Sequence, residues 1–184
     1  MEILSSYLPQ ESAQDPTTPI NPALANTPTG NNFSEGGAFF ALGMMNAAQD
    51  YPKVRDYLVE KLDTVSADQQ EFVVHGICAG LGLSSALSWN MTIVEKLKGC
   101  LYTDQNMVGF SAAVAIGLVL AGRAGSPKVS EELNELFEYS KETKHEKIIL
   151  GCALGQALIV TGKPNSFPLP KSNAVISFFI FLCF

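Results

Sequence analysis

Basic residues are scarce in this chain and nowhere bunched. Twelve Lys and Arg stand against eighteen Asp and Glu, a net charge of −6. Without a basic cluster there is no groove to track phosphates, so nucleic acid is excluded as a partner. The uncharged apolar run AVISFFIFLCF at the C-terminus has eleven residues. A bilayer span takes about 20, so no membrane partner is expected. The start, MEILSSYLPQ, is acidic where a secretory signal is positive, and no apolar stretch follows it. The four cysteines, Cys78, Cys100, Cys152 and Cys183, lie far apart without paired spacing. They read as reduced thiols of an intracellular protein, three of them in apolar helical contexts.

Sites for chemistry are equally thin. His75 precedes Cys78 by three residues and His145 precedes Cys152 by seven, but both thiols sit in glycine-rich helical patterns expected to be buried. One isolated H-x-x-C without any CxxC is short of zinc ligands. Gly80-Leu81-Gly82 has the look of a dinucleotide loop, yet QQEFVVH leads into a helix pattern where that motif needs a strand. Gly162-Lys163 lacks the spacing and hydroxyl of a phosphate loop. No catalytic residue, metal, cofactor or small-molecule substrate is therefore expected.

What the chain has is a repeat. HGICAGLGL places Gly76, Gly80 and Gly82 in the first, fifth and seventh places of a short motif. The same places hold Gly37, Ala41 and Gly43, then Ser111, Ala115 and Gly117, then Gly151, Gly155 and Ala157. All are Gly, Ala or Ser, and the starts at 37, 76, 111 and 151 lie 39, 35 and 40 residues apart. That period belongs to solenoids of helix pairs.

Between the motifs run amphipathic patterns at helical spacing. Val54, Tyr57, Leu58 and Leu62 share one face, as do Ile93, Val94, Leu97 and Leu101, then Val129, Leu133, Leu136 and Phe137. Each unit is thus a nearly uncharged A helix followed by a B helix with one wet face. Each glycine inside an A helix forfeits about 1 kcal/mol relative to alanine. Close stacking of A helix on A helix is the compensation that small side chains permit. The acidic run SEELNELFEYSKETKHEK reads as a solvated B face, with a docking strip for a basic partner as the sharper alternative.

The stretches SSYLP, EGGAFFALGMMNA, VVHGICAGLGL, LYTDQNMVGFSAAVAIGLVLAG and ETKHEKIILGCALGQALIVTG resemble, in order and spacing, the PC (proteasome/cyclosome) repeats of the large scaffold subunits in the base of the 26S proteasome regulatory particle. The resemblance covers Tyr7–Pro9 and about Phe33–Lys163. A sister scaffold and the largest anaphase-promoting complex subunit share the repeat but fit the linking segments less well. The resemblance implies an all-α solenoid forming an arc of a toroid, without an active site. It also implies a scaffold of cytoplasm and nucleus that positions proteasome ATPase and lid subunits and ubiquitin receptors. An unrecognised enzyme on a helical-repeat fold is the alternative of a different class.

Four zones follow. Residues 1–8 look like the end of a preceding repeat helix, and 9–32 form a Pro/Asn/Thr-rich disordered loop. Residues 33–162 carry about three and a half repeats, and 163–184 are an atypical apolar tail. Phe110 stands where the family often has an acid, and Leu150 where it often has a base. A fourth B helix, due near Pro168, is replaced by proline-interrupted sequence. The chain is accordingly expected to be a truncated or mis-spliced product whose tail lies outside the repeat and is prone to aggregate unless packed.

Overall fold

A computed structural model describes residues 28–65 and 70–161 of the chain. The expectations for residues 1–8, for 9–27, for Cys183 and for the 163–184 tail lie outside the described residues. Among the described residues the secondary structure is seven α-helices and no strand: α1 Pro28–Met45, α2 Pro52–Thr64, α3 Glu71–Ser84, α4 Met91–Leu101, α5 Asn106–Val119, α6 Pro127–Glu142 and α7 Glu146–Val160. The fold is an all-α helical repeat, with α1, α3, α5 and α7 as A helices and α2, α4 and α6 as B helices. Helix α1 begins at Pro28, inside the stretch expected to be loop up to residue 32. Proline lacks an N–H and has φ preset near the helical value, so it suits a first turn, where the N–H would have no partner.

The B helices start and stop on local chemistry. Pro52 and Pro127 stand in the first turns of α2 and α6. Asn90 caps α4, its side chain accepting from the Thr92 N–H at 3.0 Å. Lys61, Lys98 and Lys141 occupy the last turns of α2, α4 and α6, opposite the negative end of the helix dipole.

The A helices form a single row: α1 packs on α3, α3 on α5 and α5 on α7. Each B helix lies chiefly on the A helix that follows it, α2 on α3, α4 on α5 and α6 on α7, and α1 barely touches α2. The pair joined by a turn in sequence is therefore not the pair most closely packed in space. One core runs through the row, with Phe39, Leu58, Ile77, Leu97, Ile116 and Ile148 fully buried. Each such side chain contributes about 1.5–3 kcal/mol relative to exposure. All of Ile93, Val94, Leu97 and Leu101 on α4 are buried; on α2, Leu58 and Leu62 are buried while Val54 and Tyr57 pack on the core half-exposed.

Candidate functional site

The row of A helices is held by contacts that repeat in one register and one direction. A Cβ added to Gly76, in the first place of its motif, would strike the Gly36 backbone on α1. On Gly151, in the same place of the last motif, it would meet the Phe110 carbonyl oxygen of α5 at 2.7 Å. Both α1 and α5 thus present the residue just before their own motif. At the fifth place, Gly80 meets the Phe39 carbonyl and Gly155 the Ala113 carbonyl, each the third place of the preceding motif. The seventh places lean the other way: Gly43 meets Gly80, Gly82 meets Ala115 and Gly117 meets Gly155, each a fifth place on the following helix. A back face of first and fifth places therefore receives a forward face made by the preceding helix. A side chain added at any of these glycines would drive the backbones apart.

Two motif positions depart from this. Gly37 is exposed, and a Cβ there would have no atom within 4 Å; Ala41 is half-buried. They lie on the back face of α1, which no other described helix covers. Ser111 and Ala115 are buried between α3 and α5, with the Ser111 hydroxyl donating to the Val108 carbonyl at 3.0 Å. Ala157 is partly exposed on α7.

A second set of contacts joins each turn to the next unit, and the sequence pattern did not point to it. After α1, Ala48 and Asp50 adopt positive φ and donate their N–H groups to the carbonyls of Leu83 and Ser84, both at 2.9 Å. After α3, Leu87 (φ 62°) and Trp89 (φ 55°) do the same to Leu118 and Val119, at 3.0 and 3.1 Å. After α5, Gly122 (φ 74°) donates to Leu158 at 3.4 Å. The last carbonyls of a helix lack partners within it, and here the preceding unit supplies them. The Trp89 indole also donates to the Ala121 carbonyl at 3.2 Å while the Arg123 guanidinium lies over its ring, 4.1 Å from the centroid.

The B helices are linked by charge. Lys96 pairs with Asp63 of the preceding B helix at 2.6 Å. Lys98, largely covered, reaches Glu132 at 3.1 Å and Glu135 at 2.6 Å on the following one. Burial alone would lower the Lys98 ammonium, but its hydrogen bonds to Glu135 and Glu132 outweigh it and hold the pKa above the usual lysine range. Burial raises the Glu132 carboxyl, with Lys98 opposing it. So the acidic run is not wholly a solvated face: Glu131, Glu138 and Glu142 are exposed and Glu132 is buried. Beyond it, the Tyr139 hydroxyl donates to the Leu101 carbonyl and to Asp104, both at 3.1 Å, and Thr143 donates to Asp104 at 2.8 Å.

The groups weighed for chemistry are absorbed in packing. Cys78 is fully buried; its hydrogen bond with Cys100 and its burial push the thiol well above the ordinary range. Burial pushes Cys152 up to about 12. His75 Nδ1 lies 2.9 Å from the Met107 carbonyl, and His145 Nε2 lies 3.5 Å from Asp104. Among the described residues no group of three or more His, Cys, Asp or Glu side chains is placed to hold a metal. No described helix is long and apolar enough to cross a membrane.

No family model matches the chain. Curated proteins do. The chain is 36% identical over 163 residues to the 26S proteasome regulatory subunit rpn2 of Schizosaccharomyces pombe, covering 89% of this chain and 15% of that protein. It is 35% identical over 161 residues to the 26S proteasome non-ATPase regulatory subunit 1 homolog A of Arabidopsis thaliana, covering 88% of this chain and 14% of that one. With the Drosophila melanogaster subunit 1 the identity is 33% over 158 residues, covering 86% and 13%. The chain belongs to the family of 26S proteasome non-ATPase regulatory subunit 1. It spans about 15% of the length of the curated relatives it matches. The matched stretch is long enough to take in all of the described helices, so the row of A helices is a segment of this subunit family.

Proposed function

We propose that the chain is part of the non-catalytic scaffold of the 26S proteasome regulatory particle base. In that role it supports ubiquitin-dependent protein degradation by holding ATPase, lid and ubiquitin-receptor subunits in position, in cytoplasm and nucleus. The observation that carries this reading is the match of 86–89% of the chain to proteins named as proteasome regulatory subunits. The geometry supports it as well. The side chains that could do chemistry, Cys78, Cys152, His75 and His145, are engaged in packing or in contacts between units. A rigid row that links its units by backbone, hydrogen bond and ion pair suits a part whose work is spacing other subunits. The test is sedimentation of tagged chain from cell extract, with the proteasome ATPases and lid subunits followed by antibody. Scaffold function places the chain in the high-mass fractions with them. Recovery only as a free, low-mass species overturns the proposal.

A further inference from the structure

Two thiols lie against each other in the middle of the row. Cys78 on α3 is fully buried, Cys100 on α4 is partly exposed, and their side chains are hydrogen-bonded. Neither helix stands at an end of the described segment. Helix α3 has α1 and α5 on its two sides, and α4 is tied to α2 through Lys96 and Asp63 and to α6 through Lys98 and Glu132. The hydrogen bond from Cys78 lowers the Cys100 thiol below its ordinary range against burial and Asp63, with Lys96 adding to the effect. The buried sulfur thus keeps its proton, and the outer one has the thiolate character that makes a cysteine reactive. Cys152 has neither feature: it is fully buried, and its thiol is pushed up to about 12.

We propose that Cys78 and Cys100 are a redox pair, in which a peroxide oxidises Cys100 and the resulting sulfenic acid closes a disulfide with Cys78. In the first step the Cys100 sulfur attacks a peroxide oxygen. The O–O bond breaks, the sulfur is oxidised to S–OH, and the other oxygen leaves as water or an alcohol with the proton that Cys100 gave up. In the second step the Cys78 sulfur attacks the Cys100 sulfur. The S–S bond forms, the S–OH bond breaks, and the hydroxyl leaves as water with the Cys78 proton. The new bond ties α4 to the A helix of its own unit. That contact is otherwise slight, since α4 lies chiefly on α5. Oxidation therefore adds a strut between the two helices of one unit and restrains α4 over α3.

Stepwise addition of hydrogen peroxide to the full chain, freed of reductant, tests this, with remaining thiols alkylated and the chain mapped by trypsin and mass spectrometry. At the lowest effective peroxide the tryptic peptide ending at Lys96 is joined to the one ending at Arg123, lighter by two hydrogens than their sum. Half of the four free thiols disappear, the melting temperature rises, and dithiothreitol reverses both changes. In Cys78→Ser the same treatment leaves Cys100 as a sulfenic acid, which dimedone traps; in Cys100→Ser, Cys78 stays a thiol. Mapping of the unaltered chain decides the matter even where a variant at the buried Cys78 folds poorly. Cys100 that stays reduced while Cys152 or Cys183 oxidises overturns the proposal. So does a disulfide from Cys100 to Cys183 or to another copy, and so does an oxidised chain that melts no higher than the reduced one.

Discussion

Gly82 and Ala115 face each other across the α3–α5 contact so closely that a Cβ built on Gly82 would lie 2.5 Å from the Cβ of Ala115. Atoms do not approach that far, so Gly82→Ala must part the two helices. Stability falls by about 1–3 kcal/mol, the scale of overpacking, even though alanine returns up to about 1 kcal/mol of helix propensity. Ala115→Gly in the same chain removes only one of the two clashing atoms, since the Ala115 Cα lies 2.6 Å from the same point. Urea unfolding of the two single variants and the double variant reads the coupling: the double recovers only part of the loss caused by Gly82→Ala, the backbone contact remaining. Additive losses would mean that the two residues do not share one gap.

The turns hold non-glycine residues in a conformation that glycine takes more easily. Leu87 has φ 62° and is 53% exposed, so its side chain contributes little while its backbone is strained. Leu87→Gly raises stability by about 1 kcal/mol, relieving the left-handed conformation that costs about that much for an L-residue. Leu87→Pro removes the N–H that reaches Leu118 and lowers the melting temperature. Thermal unfolding of both variants separates strain from hydrogen bonding; a fall for Leu87→Gly would contradict the first term.

Lys98 holds Glu132 and Glu135 across the gap between α4 and α6. Lys98→Met strands the covered Glu132 carboxylate and costs about 2–3 kcal/mol, just under the range for breaking a fully buried pair because Glu135 is half in water. Adding Glu132→Leu restores most of it, since an apolar pair leaves no charge unpartnered. Chemical denaturation of the single and double variants checks this. A Lys98→Met variant as stable as the parent would show the cluster to be ornamental.

Lys98 and the nearby Tyr139 set an alkaline limit. Lys98 and Tyr139 both have folded pKa values raised above their ordinary 10.5 and 10.0. Below about pH 10 both states keep these protons and the contribution is intact. As pH rises past that point the unfolded chain loses protons that the folded chain retains, so stability falls. Melting temperature against pH therefore declines above about pH 10, and less steeply in a Lys98→Met, Tyr139→Phe double variant. An equal slope in that variant would sever the link to these two groups.

Much of this architecture is legible in residue order alone. The recurrence of Gly, Ala and Ser marks the A helices, and the spacing of Leu and Val marks the wet and dry faces of α2, α4 and α6. The direction of stacking is not legible. Gly37 and Gly76 occupy the same place in their motifs, yet one faces open space and the other the backbone of Gly36. A neighbour decides that, and a motif does not name its neighbour. The turns hid their role because Ala48, Leu87 and Trp89 are not residues that advertise positive φ, and only the carbonyls of the next unit hold them there. Lys98 and Glu132 were hidden differently. They lie 34 residues apart, about one repeat, so their pairing depends on each B helix standing beside the next.

The most direct test is to make the same change at two equivalent places. Gly37→Ala and Gly76→Ala both replace the first residue of a motif, and both gain up to about 1 kcal/mol of intrinsic helix propensity. Measured by urea unfolding at low protein concentration, Gly37→Ala stabilises the chain modestly, whereas Gly76→Ala destabilises it by about 2 kcal/mol as its Cβ meets the α1 backbone. Equal and favourable effects at both positions would contradict close, directional stacking of the A helices.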